Sequence, residues 1–316
     1  MMDNQTLMQK ADWAVSDLDS TGGKLNDEQA NAFIRKLLVQ PTILQQTRTV
    51  TMSSPQRQIN KINFASRILK PAVSNTALSA GDRSAPTTEQ VLLTTKEVIA
   101  EVRLPYDVIE DNIERGNIGA RTDTGGSPTS GGIRDTIMTL IAERAALDLE
   151  ELALLGDTGS GDPYLALLDG WLVQATTNVV DLAGAAISKD TFKQGMQAMP
   201  DQYLRNRAAM RHFISVDNEI GYRDSLANRE TALGDAQIQG ISPVYGFGVQ
   251  LDPVSLMPAA NGLTTNPLNC IFGIQRDIHI ETDKDISSRV YIIVLTMRMD
   301  FKYEEEEAVV KYTNLG

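Results

Sequence analysis

Reactive side chains are scarce in this chain. Its 316 residues include one cysteine, Cys270, and two histidines, His212 and His279. A lone cysteine excludes an internal disulfide framework, so the expected setting is a reducing cytoplasm. Neither histidine stands at metal-ligand spacing from Cys, Asp or Glu, and both read as structural or surface residues. With so few histidines no Ser, His and acid set can be composed, and Cys270, within Asn269-Cys270-Ile271-Phe272, reads as a buried, inert thiol. Long apolar runs are missing too. Nothing approaches the roughly 20 residues needed to span a bilayer, and the polar segment Met1 to Lys10 lacks the pattern of a secretory signal. No catalytic, cofactor-binding or metal-binding residue is assigned, and no cofactor or membrane partner is expected.

Positive charge is also short. Twenty-nine Lys and Arg face 41 Asp and Glu, for a net charge of −12, which disfavours a general nucleic-acid binder because phosphate contacts depend on basic residues. The cations are unevenly placed. From Arg48 to Arg83 the chain carries Arg48, Arg57, Lys61, Arg67, Lys70 and Arg83 against Asp82 alone, a net +5 that leaves −17 elsewhere. One reading is a solvated hairpin that happens to be basic. The other is an arm that docks on the acidic body of another copy, with complementary charge steering the encounter.

What the chain does contain is ordinary globular material, 42% hydrophobic and 22% charged, enough for one large core or two modest ones. A polar start leads to a capped helix with Ala30, Phe33, Ile34, Leu37 and Leu38 on one face, ended by Pro41. Residues 42–72 read as extended, 74–88 as a loop of small and polar residues, and 91–104 as strand, together one long two-stranded excursion that needs a surface to lie on. Tyr106 to Ile113 reads as a short acidic helix, and residues 116–132 as a Gly, Ser and Thr-rich connector. A long amphipathic helix follows from Ile133. Its apolar stripe is Ile133, Ile137, Leu140, Ile141, Leu147, Leu152 and Leu155, with Glu143, Arg144, Asp148, Glu150 and Glu151 on the other side. Gly156 is expected to stop it by taking positive φ.

The second half alternates helix and strand, so the fold class is α+β. Ser188 and Asp217 are expected to cap helices. Short strands are expected at 212–216, 249–251, 271–274 and 278–281. A long alternating strand then points Tyr291, Ile293, Leu295, Met297, Met299, Phe301 and Tyr303 one way, and a last strand lies around Val309, Val310 and Tyr312.

Several fragments invite chemistry and lose it to context. Asp123-Thr124-Gly125 and Asp157-Thr158-Gly159 spell the aspartic-protease tripeptide but sit in a connector and after a helix, where turns are the expected reading. The Gly156 to Gly161 loop follows a helix C-terminus, whose dipole repels phosphate. Gly246-Phe247-Gly248 lacks the third glycine of a dinucleotide fingerprint. Glu304 to Glu307 alternate in direction, so a solvated acidic edge is favoured over a metal site.

The order of parts carries a resemblance. A polar arm, a basic hairpin, Leu104-Pro105-Tyr106-Asp107-Val108-Ile109-Glu110-Asp111, a spine helix ending in Leu155-Gly156-Asp157-Thr158-Gly159-Ser160-Gly161, and Leu168-Asp169-Gly170 together resemble the major capsid proteins of tailed bacteriophages, the Hong Kong 97 fold. Phe213-Ile214-Ser215-Val216-Asp217, Tyr245-Gly246-Phe247-Gly248-Val249-Gln250-Leu251-Asp252-Pro253 and Val309-Val310-Lys311 agree with it. The resemblance implies an N-terminal arm at 1–59, an extended loop at 60–95, a peripheral domain with the spine helix at 96–164 and 286–316, and an axial domain with a small mixed sheet at 165–285. It implies self-assembly, as hexamers and pentamers, into an icosahedral shell enclosing double-stranded DNA without sequence-specific binding. Assembly in the host cytoplasm, a portal, and scaffolding or decoration proteins belong to the same expectation. Arg57, Lys61, Arg67, Lys70 and Arg83 become candidates for contact between subunits. Some members cross-link a loop lysine to an asparagine with help from a glutamate; Arg289 and Thr296 stand at those last two positions, so non-covalent contacts are expected here. An encapsulin-like nanocompartment shell, and a soluble acid hydrolase using Asp157 and Asp123, remain the alternatives.

Overall fold

The computed structural model describes residues 42–64, 67–71, 77–79, 81, 83, 85–105, 133–227 and 243–316. The expected helix near residues 27–38, the acidic helix at 106–113, the connector at 116–132 and Asp123 lie outside them. The described chain divides into two units. The first takes residues 42–45, 97–105, 133–151 and 276–298; the second takes 46–96, 152–275 and 299–316.

Four strands open the described chain: β1 (Arg48–Thr51), β2 (Gln56–Asn63), β3 (Thr87–Thr94) and β4 (Lys96–Pro105). β2 and β3 form an antiparallel hairpin with Gln56 opposite Thr94 and Asn63 opposite Thr87. The excursion expected from sequence therefore breaks at Thr95. β4 leaves the hairpin and joins a four-stranded sheet of order β1-β10-β11-β4, with β10 spanning Cys270–Asp285 and β11 spanning Val290–Tyr303. The two short strands expected at 271–274 and 278–281 are one 16-residue strand, because the intervening Gln275, Arg276 and Asp277 do not include a turn-forming glycine or proline. In β11 the odd residues from Tyr291 to Tyr303 are all buried and most even residues are half-exposed, the alternation read from sequence.

The first unit has a small core of Leu104, Tyr291 and Ile293, joined by Val102 and Ile141. It also contains most of helix α1 (Ile133–Leu155). Here the simple amphipathic reading fails. Leu147, Leu149, Glu150, Leu152, Ala153 and Leu154 are all buried, while Asp148, Glu151 and Leu155 are half-exposed, so burial in the last two turns extends well beyond one stripe. Glu150, assigned to the polar face, is fully buried and accepts hydrogen bonds from the Thr42 amide at 2.9 Å, the Ile43 amide at 2.7 Å and the Thr42 hydroxyl at 3.3 Å.

The second unit is built on a six-stranded mixed sheet of order β5-β12-β9-β6-β8-β7. Its members are β5 (Asn178–Asp181), β6 (Arg211–Ile214), β7 (Tyr245–Gly246), β8 (Val249–Pro253), β9 (Gly262–Thr265) and β12 (Val310–Thr313). The sequence reading places residues 286–316 with the spine helix; of these, β12 runs parallel to β5 and antiparallel to β9 inside this sheet. Helix α2 (Trp171–Gln174) starts the unit's helical set, followed by α3 (Lys189–Ala198) and α4 (Val216–Ala227). Ser188 caps α3 by accepting from the Asp190 amide at 3.2 Å, as expected. For α4 the cap is Ser215, which accepts from the Asn218 amide, and Asp217 sits inside the first turn. Phe192, Met196, Ile214, Val249, Leu251, Val310 and Tyr312 form the core between α3 and the sheet.

His212 lies fully buried in that core. One ring nitrogen meets the Gly246 carbonyl at 3.2 Å and the other meets the Thr264 hydroxyl, which shares a 3.1 Å hydrogen bond with the Tyr312 hydroxyl. A carbonyl only accepts, so Nε2 carries the proton and the neutral ring is satisfied. Burial pushes its pKa down to about 4, against a smaller upward pull from the Gly246 carbonyl.

Candidate assembly surface: the hairpin, its root and the acidic run

The hairpin is rooted by a small apolar cluster of Val50, Met52, Leu93 and Ile271, with Ile59 packed against it. Gly273 makes that packing possible: a Cβ there would lie 3.2 Å from the Met52 sulfur and 3.3 Å from Leu93. Polar contacts fix the same end. The Thr94 amide donates to the Asp300 carboxylate at 2.7 Å, the Thr95 amide to the Pro55 carbonyl at 2.9 Å, and the Thr95 hydroxyl to the Gln275 side chain at 2.9 Å. Burial raises the Asp300 carboxyl above its ordinary pKa, opposed by the Thr94 amide and by Lys302.

Beyond its root most of the hairpin is exposed. Ile62, Phe64, Ile68, Leu69, Leu78 and Leu92 all present apolar surface to solvent, Leu69 at 81%. Isolated exposed apolar residues are common, but six along one hairpin and the segment between its strands are more than scattered single residues.

The five cations expected to make contacts between subunits separate into two groups. Arg57, Arg67, Lys70 and Arg83 are exposed, and Arg57 also donates to the Thr51 carbonyl near the root. Lys61 is different. It lies between Glu89, directly opposite it in the hairpin and 3.4 Å away, and Glu305 at 3.0 Å. Desolvation lowers its pKa, yet the two carboxylates outweigh this and the net shift is upward.

Glu305 belongs to the acidic run, whose four carboxylates go to four places. Glu304 pairs with Arg48 at 2.8 Å and Glu305 with Lys61. Glu306 accepts from the amides and hydroxyls of Thr176 and Thr177 at 2.6 to 3.1 Å. Those bonds outweigh its partial burial and hold its carboxyl below the usual range. Glu307 receives a long hydrogen bond from Tyr203 at 3.5 Å. The run is a set of separate tethers, and the sequence signal for it was only the four consecutive acids opposite a basic arm.

Among the described residues, the motifs that suggested chemistry form turns and close backbone contacts. Asp157 accepts from the Gly159 amide at 2.7 Å in a local turn, and Asp169 accepts from the Thr158 amide and hydroxyl. Phe247 and Gly248, both with positive φ (50° and 85°), form the two-residue turn between β7 and β8. Gly156 does not take positive φ. It is required by close approach: a Cβ would lie 2.4 Å from the Leu168 carbonyl and 2.6 Å from that of Leu152, while Gly170 donates to the Gly156 carbonyl at 2.8 Å.

Comparison with known proteins matches this arrangement. No family model matches the chain. A Bacillus subtilis (strain 168) protein named "Putative prophage capsid protein YqbE" is 42% identical over 321 residues, covering 98% of each chain. Among solved structures, the capsid of the native GTA particle aligns with a TM-score of 0.66 at 16% identity, covering 96% of this chain and 100% of that one. The satellite phage P4 procapsid gives 0.63 at 13% identity, covering 99% and 96%. Identity at that level speaks for the fold; the relative at 42% speaks for the family. With an α+β fold, a long helix ending at a glycine crossing, and a projecting basic hairpin, the chain belongs to the major capsid proteins of tailed bacteriophages and has their Hong Kong 97-like fold.

Proposed function

We propose that this capsid protein is the repeating unit of a closed icosahedral shell of hexamers and pentamers around double-stranded DNA, joined by non-covalent contacts. The observation that carries this reading is the hairpin of β2 and β3. A two-stranded ribbon is marginal alone in water, and this one holds six exposed apolar side chains and four exposed cations on a chain of net charge −12. A neighbouring copy supplies both an apolar cover and the opposite charge, with Arg57, Arg67, Lys70 and Arg83 as contacts. The acidic remainder suits a container that does not trap its DNA on the wall.

The role is structural rather than catalytic. Asp157 is committed to a turn, and Cys270 is buried with its thiol pushed well up by desolvation. The family resemblance sets Arg289 and Thr296 against the asparagine and glutamate of cross-linking members, which supports contacts that form no covalent bond. Arg289 occupies the turn between β10 and β11 with φ of 53°.

Electron microscopy of the expressed protein, alone and with its phage's other head proteins, tests the reading. Rings, tubes or closed shells are expected. A chain that stays monomeric under all these conditions overturns it. Particles boiled in denaturant should give one monomer band, and a ladder would overturn the non-covalent claim.

A further inference from the structure

The geometry points to an ion-pair latch within each chain, Lys61 to Glu305, that holds the hairpin against its own body until a neighbouring copy displaces it. This rests on the shell reading and concerns the step before assembly.

Three observations carry it. Lys61 is five residues along β2 from the hairpin's root at Gln56, about 16 Å at strand rise, yet its side chain is only 18% exposed and contacts Glu305 at 3.0 Å. Glu305 is held on a fixed platform: Asn269 accepts from the Glu305 amide at 2.8 Å, donates to the Glu305 carbonyl at 2.8 Å, and accepts at its own carbonyl from the Glu304 amide at 2.9 Å. The neighbouring acid Glu304 reaches Arg48 on β1, so two successive carboxylates restrain the basic arm in cis.

Two features make the contact releasable. Both side chains are partly solvated, 18% and 30% exposed, so the pair biases an equilibrium by only about two- to fivefold and is weakened by salt. Lys61 also has Glu89 opposite it at 3.4 Å. Release from Glu305 therefore leaves the ammonium with a partner and exposes no unpaired buried charge. The basic arm thus does meet an acidic body, but at this residue the body is its own.

Glu305→Gln keeps Lys61 and Glu89 and removes only the latch. Spin labels at Ile62→Cys on the hairpin and Lys193→Cys on α3 read the hairpin's position; both sites are exposed, and the native Cys270 is buried. In the unassembled chain the wild-type distance distribution should be narrow. It should broaden in Glu305→Gln and in wild type at 1 M salt, and narrow again in the charge swap Lys61→Glu with Glu89→Lys and Glu305→Lys, which reverses all three facing charges. Shell formation by unlabelled Glu305→Gln should be about two- to fivefold faster than wild type. An unchanged distribution, a swap that fails to restore it, or slower assembly of Glu305→Gln overturns the latch. Absence of particles from every variant, wild type included, counts against the shell reading instead, and the distance measurement still decides the latch.

Discussion

Glu150 shows how one side chain can fix a chain crossing. Its carboxylate satisfies two backbone amides and a hydroxyl from Thr42 and Ile43, and Ile43 is itself fully buried. Glu150→Ala would leave those donors without partners, at roughly 1–3 kcal/mol for each buried one. We expect a loss of about 2–5 kcal/mol in urea unfolding, with Glu150→Gln costing less because one acceptor oxygen remains. A loss under about 0.5 kcal/mol for Glu150→Ala would contradict this account. His212 makes a pH prediction. Its folded pKa of about 4 lies below the ordinary 6.5, so between these values the unfolded chain binds more protons. Its contribution is fully present above pH 6.5 and is lost as pH falls toward 4, by on the order of 3 kcal/mol. Unfolding curves of wild type and His212→Gln should converge across that window; a constant difference would refute the assignment.

At the level of elements, the spine helix and its exit were visible in sequence, but the reason for the exit was not. Glycine at 156 is forced by backbone carbonyls on two sides, at 2.4 and 2.6 Å from any Cβ. Backbone cannot swing aside as a flexible side chain can. Gly156→Ala should therefore cost about 3 kcal/mol or more, or prevent folding. Gly161→Ala, where nothing lies within 4 Å, should change thermal stability by less than about 0.5 kcal/mol. Equal effects at the two glycines would remove the crossing argument. The hairpin gives a parallel lesson. Its existence followed from alternation and a polar loop, whereas its root depended on Leu93 meeting Val50, Met52 and Ile271. That three-dimensional meeting leaves no local signal.

Across the whole molecule, charge asymmetry does two jobs. Lys61 is spent within the chain, while Arg57, Arg67, Lys70 and Arg83 face outward. Reversing Arg57 and Arg67 to Glu should impair particle formation strongly while changing chain stability by less than about 1 kcal/mol, since exposed charges contribute little to folding. Gel filtration and electron microscopy beside urea unfolding read both quantities. Unimpaired assembly would exclude these two arginines from the contact surface.

Sequence alone determined the α+β class, the long helix, the alternating strand β11 and the basic excursion, because each is written in a local period or a local charge balance. It also determined the fate of one suggestive motif, since Asp157 lies in a turn that nearby residues dictate. Tertiary structure alone decided that Glu150 is buried, that β12 lies inside the six-stranded sheet between β5 and β9, that β10 runs unbroken, and that Lys61 already has an acidic partner in its own chain. The physical reason is distance along the chain. Glu150 and Thr42 are 108 residues apart and Lys61 and Glu305 are 244 apart, so neither pairing leaves a periodic trace, and both exist only once the fold brings the partners within hydrogen-bond reach.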